Sequence, residues 1–349
     1  MPKIAVDVMG GDHGSGEVVR GVISAAFEQS KDLFLLVGDE SEIRQELART
    51  KPVPQNIKII HTTEVIGMNE SPVEAIRGKK DSSLVKAIGL VAQGKADAVL
   101  SPGNTGAVVA GATFLLGLLE GVKRPGIAIP LPTENGHAYL IDVGANIHCN
   151  PVHLLQYGIM ASVYCQHLQN IHQPRVGLLN IGSEDNKGNE LVKYTIQFFK
   201  KAGLNFTGNI EGQDIFSGTC DVVVCEGFLG NVILKYTEGL VEFLLHNIQK
   251  NLMESSNSRQ STQSTNQALS KIKSRADYTE HGGAPLLGVD GVCIICHGRS
   301  RARAFVNAFK VATQIVQLKV NQGIRRAIQG THLSWFDLLR SWRASRRGE

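Results

Sequence analysis

Short, almost wholly apolar runs alternate with amphipathic stretches along most of this chain. Ile4 to Val8, Leu33 to Val37, Ile57 to His61, Ala98 to Leu100, Val176 to Leu179, Val222 to Val224 and Val292 to Ile295 read as strands. Runs this uniformly apolar suit strands covered on both faces. Helical periodicity fills the intervals: Glu17 to Gln29, Glu42 to Arg49, a stripe at Leu84, Ile88 and Val91, Ala107 to Leu118, Leu191 to Lys201, about Val232 to Met253, and Ala302 to Val320. A further helix starts at Pro151 and runs to about Leu168, with Asn150 as its cap and proline in the first turn, where its missing donor is harmless. Repeated strand-then-helix order predicts a three-layer α/β/α sandwich around a mostly parallel, Rossmann-like sheet. Ile127 to Leu131 and Ala138 to Asp142 are separated only by Pro132 to Gly136, so they pair as a hairpin and leave a mixed sheet open.

The same pattern sets the domain organisation. Residues 1–330 read as a single α/β domain, with a helical excursion over about 232–280. The tip of that excursion, 254–267, contains no apolar residue, and 331–349 form a basic tail in which Trp335, Leu338, Leu339 and Trp342 fall at helical spacing beside Arg340, Arg343, Arg346 and Arg347. That spacing fits either an interfacial helix on anionic lipid or a helix packed on the body.

Composition narrows the classes. A hydrophobic content of 42% with 37 glycines suits a folded, loop-rich body. The net charge of +4 is too small to argue for nucleic acid. Six cysteines without a charged-then-apolar leader indicate a reducing, cytoplasmic setting. The apolar run Gly106 to Leu119 stops at Glu120, short of the roughly 20 residues a spanning helix needs.

Glycine-rich or polar loops at 10–16, 101–106, 142–146, 180–189 and 225–231 each follow a predicted strand. In parallel α/β sheets the ligand crevice lies at those carboxyl ends, so the loops are expected to meet at one rim. Lys187 stands just before the helix that opens at Leu191, where the positive helix end disfavours a cation. Either an anion is held there or Lys187 is an ordinary solvated lysine.

Several motifs fail. Gly89 to Lys95 resembles a P-loop, but Ala96 replaces the magnesium-binding hydroxyl and the run lies in a helix. No Gly-x-Gly-x-x-Gly follows the first strand, which removes most support for a nicotinamide dehydrogenase. Cys293-Ile-Ile-Cys296-His297 matches a haem-attachment pattern, yet its apolar centre reads as a buried strand with core cysteines. No ligand set with workable spacing for zinc is evident, so no metal is expected.

Asp7 to Asp12 (Asp-Val-Met-Gly-Gly-Asp), Ser101 to Ala107 (Ser-Pro-Gly-Asn-Thr-Gly-Ala), Asp142 to Asn146 (Asp-Val-Gly-Ala-Asn), Leu178 to Gly182 with Lys187-Gly188, Glu226 to Asn231 and His297-Gly298 stand in one order. Over about residues 1–322 this resembles the bacterial phosphate acyltransferase of phospholipid synthesis, the PlsX family. The resemblance implies an isocitrate/isopropylmalate dehydrogenase-like sheet, and transfer of a long fatty acyl group from acyl carrier protein to inorganic phosphate, giving acyl phosphate. It also implies a cytoplasmic homodimer with peripheral membrane contact, no organic cofactor, and the downstream glycerol-3-phosphate acyltransferase as a partner. Lys187 and Asn231 match the family's important lysine and asparagine. Phosphate needs a cation and backbone donors, and the thioester needs a donor at its oxyanion, so Lys187 is assigned to phosphate and Asn231 to the oxyanion. For Asn231 and Asn104 the alternative is a helix N-cap, and for Asn146 a loop-forming role.

Gly10, Gly11, Asp12, Gly103, Asn104, Thr105, Gly106, Asp142, Asn146, Gly182, Gly188, Gly230, His297 and Gly298 complete the candidate phosphate and substrate contacts. A carboxylate beside phosphate is repulsive unless it organises donors, so Asp7, Asp12 and Asp142 stand between loop-forming and pocket roles. Arg299, Arg301 and Arg303 are either a docking rim for the acidic carrier protein or a solvated helix start. In the family the excursion contributes to the dimer and its apolar tip touches the bilayer; the polar tip here departs from that. The competing functions are a phosphate acetyltransferase-like enzyme using an acyl-coenzyme A, a dehydrogenase on a similar sheet, and a non-catalytic membrane scaffold for lipid enzymes.

Overall fold

The structure is a computed structural model that describes residues 1–255 and 282–331, together with residues 272, 339, 340 and 342. Eleven strands form one sheet in the order β3-β2-β1-β4-β11-β10-β5-β6-β9-β7-β8. In chain order they are β1 (Lys3–Asp7), β2 (Leu33–Gly38), β3 (Ile57–His61), β4 (Ala98–Ser101), β5 (Gly126–Thr133), β6 (Gly136–Ile141), β7 (Val176–Leu179), β8 (Phe206–Ile210), β9 (Val222–Val224), β10 (Ala284–Leu287) and β11 (Val292–Ile295).

The helices are α1 (Ser15–Glu28), α2 (Glu40–Ala48), α3 (Pro72–Gly78), α4 (Ser83–Ala92), α5 (Thr105–Leu115), α6 (Pro151–Gln169), α7 (Glu190–Lys201), α8 (Asp214–Ser217), α9 (Gly227–Ser255), α10 (Ala302–Gln317) and α11 (Val320–Gln329). Their starts follow local chemistry. Asp39 caps α2 through Glu42 N, Ser82 caps α4 through Val85 N, and Asn150 with His153 forms a reciprocal capping box on α6.

Both faces of the sheet are covered, which is why most of its strands are nearly unbroken apolar runs. One apolar cluster joins the strands to α1, α2, α6, α7, α10 and α11, around Phe34, Tyr157, Phe199, Phe305 and Phe309. The other joins them to α3, α4, α5 and α8, with Leu234 of α9. Three layers result, as the strand-helix alternation implies. Cys293 and Cys296 are buried in this core, and burial pushes the Cys293 thiol up to about 12. Leu339, one of the apolar tail positions, packs against the first cluster. The rest of the polar tip from residue 256, and the other tail residues beyond 331 apart from 340 and 342, lie outside the described residues.

The sheet is not parallel throughout. β3, β2, β1, β4 and β11 run together. β10 is antiparallel to both β11 and β5, and the β5-β6 hairpin reverses direction again. β6, β9, β7 and β8 then run together, opposite to the first group. Each candidate loop does follow the carboxyl end of a strand, but those ends point to opposite edges of the sheet. The expectation of a single rim is therefore corrected. Loops 7–12, 101–106 and 296–298 leave one edge; loops 142–146, 180–189 and 225–231 leave the other. Helix α9 is where the two groups approach each other, because it begins in the second and carries Lys235 and Glu238 close enough to His297 to affect its ionisation.

Candidate active site

At the first edge, polar groups are consumed in building the loops. Asp7 is buried and accepts from Ser83 Oγ at 2.6 Å, Ser101 Oγ at 2.7 Å and Met9 N at 3.3 Å. Burial pushes its carboxyl above the usual carboxylate range, against the pull of these donors. Asp12 N donates to Gly298 O at 2.9 Å, tying the β1 loop to the β11 loop. Asn104 caps α5 by accepting from Ala107 N, and its amide nitrogen donates to Met68 O and Glu70 O. The N-cap alternative is the one its contacts satisfy. Thr105 and Gly106 follow on the exposed first turn of α5, and Gly103 N donates to Ser101 Oγ. His297 is half-buried, and its Nδ1 accepts from Arg299 N at 3.2 Å. Burial lowers its pKa, aided by the Lys235 and Arg299 cations and opposed by Glu238 and Asp12. Arg299, Arg301 and Arg303 are exposed beside it.

The second edge is built around Asp142. Its Oδ1 accepts from Ile127 N, Gly144 N and Ala145 N, and its Oδ2 from Asn146 N and Asn146 Nδ2. Burial pushes the carboxyl up while these donors oppose the push. Asn146 Nδ2 also donates to Pro125 O and Tyr157 Oη, and its carbonyl accepts from Gly227 N. The side chains of both Asp142 and Asn146 are therefore engaged in holding the 142–146 loop, and the Asn146 backbone carbonyl docks α9 on it. Gly230 explains why no larger residue fits: a Cβ there would stand 1.9 Å from Asp142 O.

Asn231 follows in α9, which begins at Gly227, so Asn231 lies inside the helix and is not its N-cap. It is exposed, faces Gly144, and its side chain makes no hydrogen bond among the described residues. Glu226 precedes the helix; burial raises its pKa, while the Leu229 backbone, the His148 charge and the Phe228 backbone draw it down.

Lys187 leaves the neighbouring strand β7 on the same edge. It is exposed, three residues before α7, whose cap is Asn189 through Val192 N. Among the described residues its ammonium pairs with no carboxylate, and the nearby Asp185 is engaged by Lys200. Of the polar side chains singled out on this edge, Asp142 and Asn146 are consumed by structure, whereas Lys187 and Asn231 remain free. Gly182 and Gly188 flank Lys187 in the same loop. Ser83 and Asn180 went unassigned in the sequence, although Asn180 closes an apolar strand and stands before a glycine-containing polar loop. Among the described residues no group of three His, Cys, Asp or Glu side chains is placed to hold a metal ion.

Solved structures share the architecture. A phosphotransacetylase from Streptococcus pyogenes superposes with a TM-score of 0.61, covering 91% of this chain and 94% of that one, at 15% identity. The 4-hydroxythreonine-4-phosphate dehydrogenase from Klebsiella pneumoniae does so at 0.55, covering 91% and 100%, at 13% identity. Likeness at such identity shows a shared α/β fold and nothing finer.

Sequence carries the matter further. The chain belongs to the family described as fatty acid synthesis protein, whose model matches residues 2–323. Relatives named phosphate acyltransferase include one from Pelotomaculum thermopropionicum, 47% identical over 94% of this chain and 95% of its own length. Another from Desulforamulus reducens is 46% identical over 94% and 98%. The chain is an acyltransferase whose acceptor is phosphate.

Proposed function

We propose that the acyl donor is a long-chain thioester of acyl carrier protein, and that the second edge of the sheet carries the chemistry. Lys187 holds the phosphate dianion, and Asn231 Nδ2 donates to the oxygen that becomes negative as phosphate attacks the thioester carbonyl. A phosphate oxygen forms the new bond to the acyl carbon, the carbon-sulfur bond breaks, and the electron pair leaves on the carrier's sulfur. Phosphate is already ionised near neutral pH, so the attack needs no general base. The observation that supports this reading is the freedom of Lys187 and Asn231 on an edge where the Asp142 and Asn146 side chains are bonded into the loop.

Carrier docking falls to Arg299, Arg301 and Arg303 near the other edge. A strand of four residues spans only about 13 Å, a distance that a thioester on a flexible arm can bridge. The working form is a homodimer of single α/β domains spanning residues 1–330. Its support is α9, where Val232, Tyr236, Leu240, Phe243, Leu244 and Ile248 leave apolar side chains exposed at helical spacing. Membrane contact in this reading is peripheral; no helix among the described residues is long and apolar enough to cross a bilayer. Co-sedimentation with anionic vesicles that is unchanged on deleting 331–349 would move the contact away from the tail.

The test of donor and acceptor is direct. Purified protein with a long-chain acyl carrier protein and phosphate is expected to yield acyl phosphate. Product from acetyl-coenzyme A alone would instead support the phosphate acetyltransferase-like reading, and absence of product from either donor would reject both. Lys187→Ala is expected to raise the KM for phosphate by roughly ten- to hundredfold, with the thermal midpoint little changed. An unaltered phosphate KM would refute the role given to Lys187.

A further inference from the structure

The loop that carries Lys187 is exposed along most of its length, yet it is tied down at three points. Asn180 ends β7 and is itself anchored in the sheet by its backbone N–H, which donates to Ile210 O at 2.9 Å. Its side-chain Oδ1 accepts from Ile181 N at 2.8 Å, and its Nδ2 donates to Lys187 O at 3.1 Å. One buried amide therefore bonds the loop where it leaves the strand and again at the lysine. From the neighbouring strand, Asn209 Nδ2 donates to Glu184 O at 2.9 Å, and Lys187 N donates to the same carbonyl at 3.1 Å.

Gly188 completes the arrangement. Its φ of +87° is a conformation that side chains disfavour, and a Cβ there would stand 2.3 Å from Asn180 Oδ1. The Asn180 amide occupies the space that the missing Cβ leaves. The stem of Lys187 lies across the start of the loop, where a Cβ on Gly182 would come within 3.1 Å of Lys187 Cγ. Only the outer part of the lysine is left to move.

We propose that Asn180 is a positioning residue for acyl transfer to phosphate: it fixes the Lys187 backbone, and hence the ammonium, at the place where phosphate binds. The inference rests on the role given to Lys187 above. Its physical basis is that an exposed lysine is a flexible charge, and a cation held in place before the ligand arrives binds it with less loss of freedom. Asn180 has both functions the geometry asks for, an acceptor for Ile181 and a donor for Lys187. Aspartate keeps the first and sets a carboxylate oxygen against the Lys187 carbonyl. Alanine removes both.

The experiment is a double-mutant cycle on the full chain with Asn180→Ala, Lys187→Ala and the pair, reading kcat and the KM for phosphate at saturating acyl donor. Asn180→Ala is expected to raise the phosphate KM roughly tenfold, leaving the KM for the acyl donor unchanged. In the Lys187→Ala background the same substitution is expected to change the phosphate KM less than twofold, because the group it positions is gone. If Asn180→Ala fails to fold, Asn180→Asp, which preserves side-chain volume, runs the same cycle; its carboxylate repels phosphate in both backgrounds, so the expected result is a rise in phosphate KM several-fold larger with Lys187 present than without it. An equal, additive loss in both backgrounds, or a change in both KM values together, would reduce Asn180 to a structural loop residue and overturn the proposal. Should Lys187→Ala leave the phosphate KM untouched, the reading of Lys187 fails and the positioning role falls with it. A strong effect of Lys187→Ala with none from Asn180 would sink the positioning role alone.

Discussion

Asp142 shows how a charged residue at a functional edge can be absorbed by architecture. Its carboxylate accepts from four backbone N–H groups, those of Ile127, Gly144, Ala145 and Asn146. Asp142→Ala removes the acceptor from all of them, and at about 1–3 kcal/mol for each stranded buried donor the expected loss of stability is about 3 kcal/mol or more. Asp142→Asn retains one oxygen and should lose less. Urea denaturation of the two variants checks the order, and an Ala variant as stable as the parent would reject the account. The sequence left Asp7 and Asp142 between loop and pocket, because spacing shows that a carboxylate is near a loop but not which N–H groups turn toward it.

His153 carries a pH dependence of the same local origin. Its Nδ1 accepts from Asn150 N in the capping box, which requires the neutral ring. Burial, then the Arg124 charge, lowers its pKa from 6.5 to about 4. The unfolded chain therefore takes up this proton first. The contribution of His153 to stability is intact above pH 6.5 and is lost as pH falls from there through about 4. His153→Gln keeps an acceptor without a titration, so its urea midpoint should fall less than the parent's between pH 7 and pH 4.5. Parallel curves across that interval would exclude His153 as a source of the acid sensitivity.

At the scale of elements, most strands and helices were legible because burial on both faces of the sheet leaves nearly unbroken apolar runs. The misses have particular causes. Glycines 227 and 230 read as loop, so α9 was expected to begin at Val232, whereas it starts at Gly227. These glycines are there because Asn146 O and Asp142 O come too close to the helix for a side chain, a tertiary demand that local propensity cannot reveal. Strand β10 is not among the strands the apolar pattern predicts, since Pro285 and the flanking glycines argue against a central strand, yet it pairs on both sides. Gly230→Ala is expected to cost at least about 1–3 kcal/mol through overpacking, measured as a lowered urea midpoint. The exposed apolar face of the same helix leads to a further expectation. If α9 carries the dimer, Phe243→Asp should shift the protein from dimer to monomer in light scattering, and an unchanged mass would remove α9 from the interface.

For the whole molecule, the three layers followed from strand-helix alternation, and the hairpin that breaks the parallel run was visible in the short gap between Leu131 and Ala138. Its larger effect was not. Strand direction depends on which strands become neighbours, and that order is set by contacts between residues far apart in the chain. Reversal across β10, β5 and β6 sends the Asp7 and His297 loops to one edge and the Asp142, Lys187 and Asn231 loops to the other. Asn104 follows a strand of the first group and Lys187 one of the second, and the Asn104 side chain is engaged in capping.

The attachment of α9 has a mechanical meaning. Its base is wedged against two carbonyl oxygens with no room for even a methyl group, while its described length of 29 residues reaches roughly 43 Å at the usual helical rise. A rod clamped at such a short base magnifies angle into displacement: a tilt of about 5° at the clamp would swing the outer end by roughly 4 Å over that length. Asn231 rides beside the fulcrum and would barely translate, so whatever leans on the far end can shift considerably without dragging this amide out of register with the loop below it.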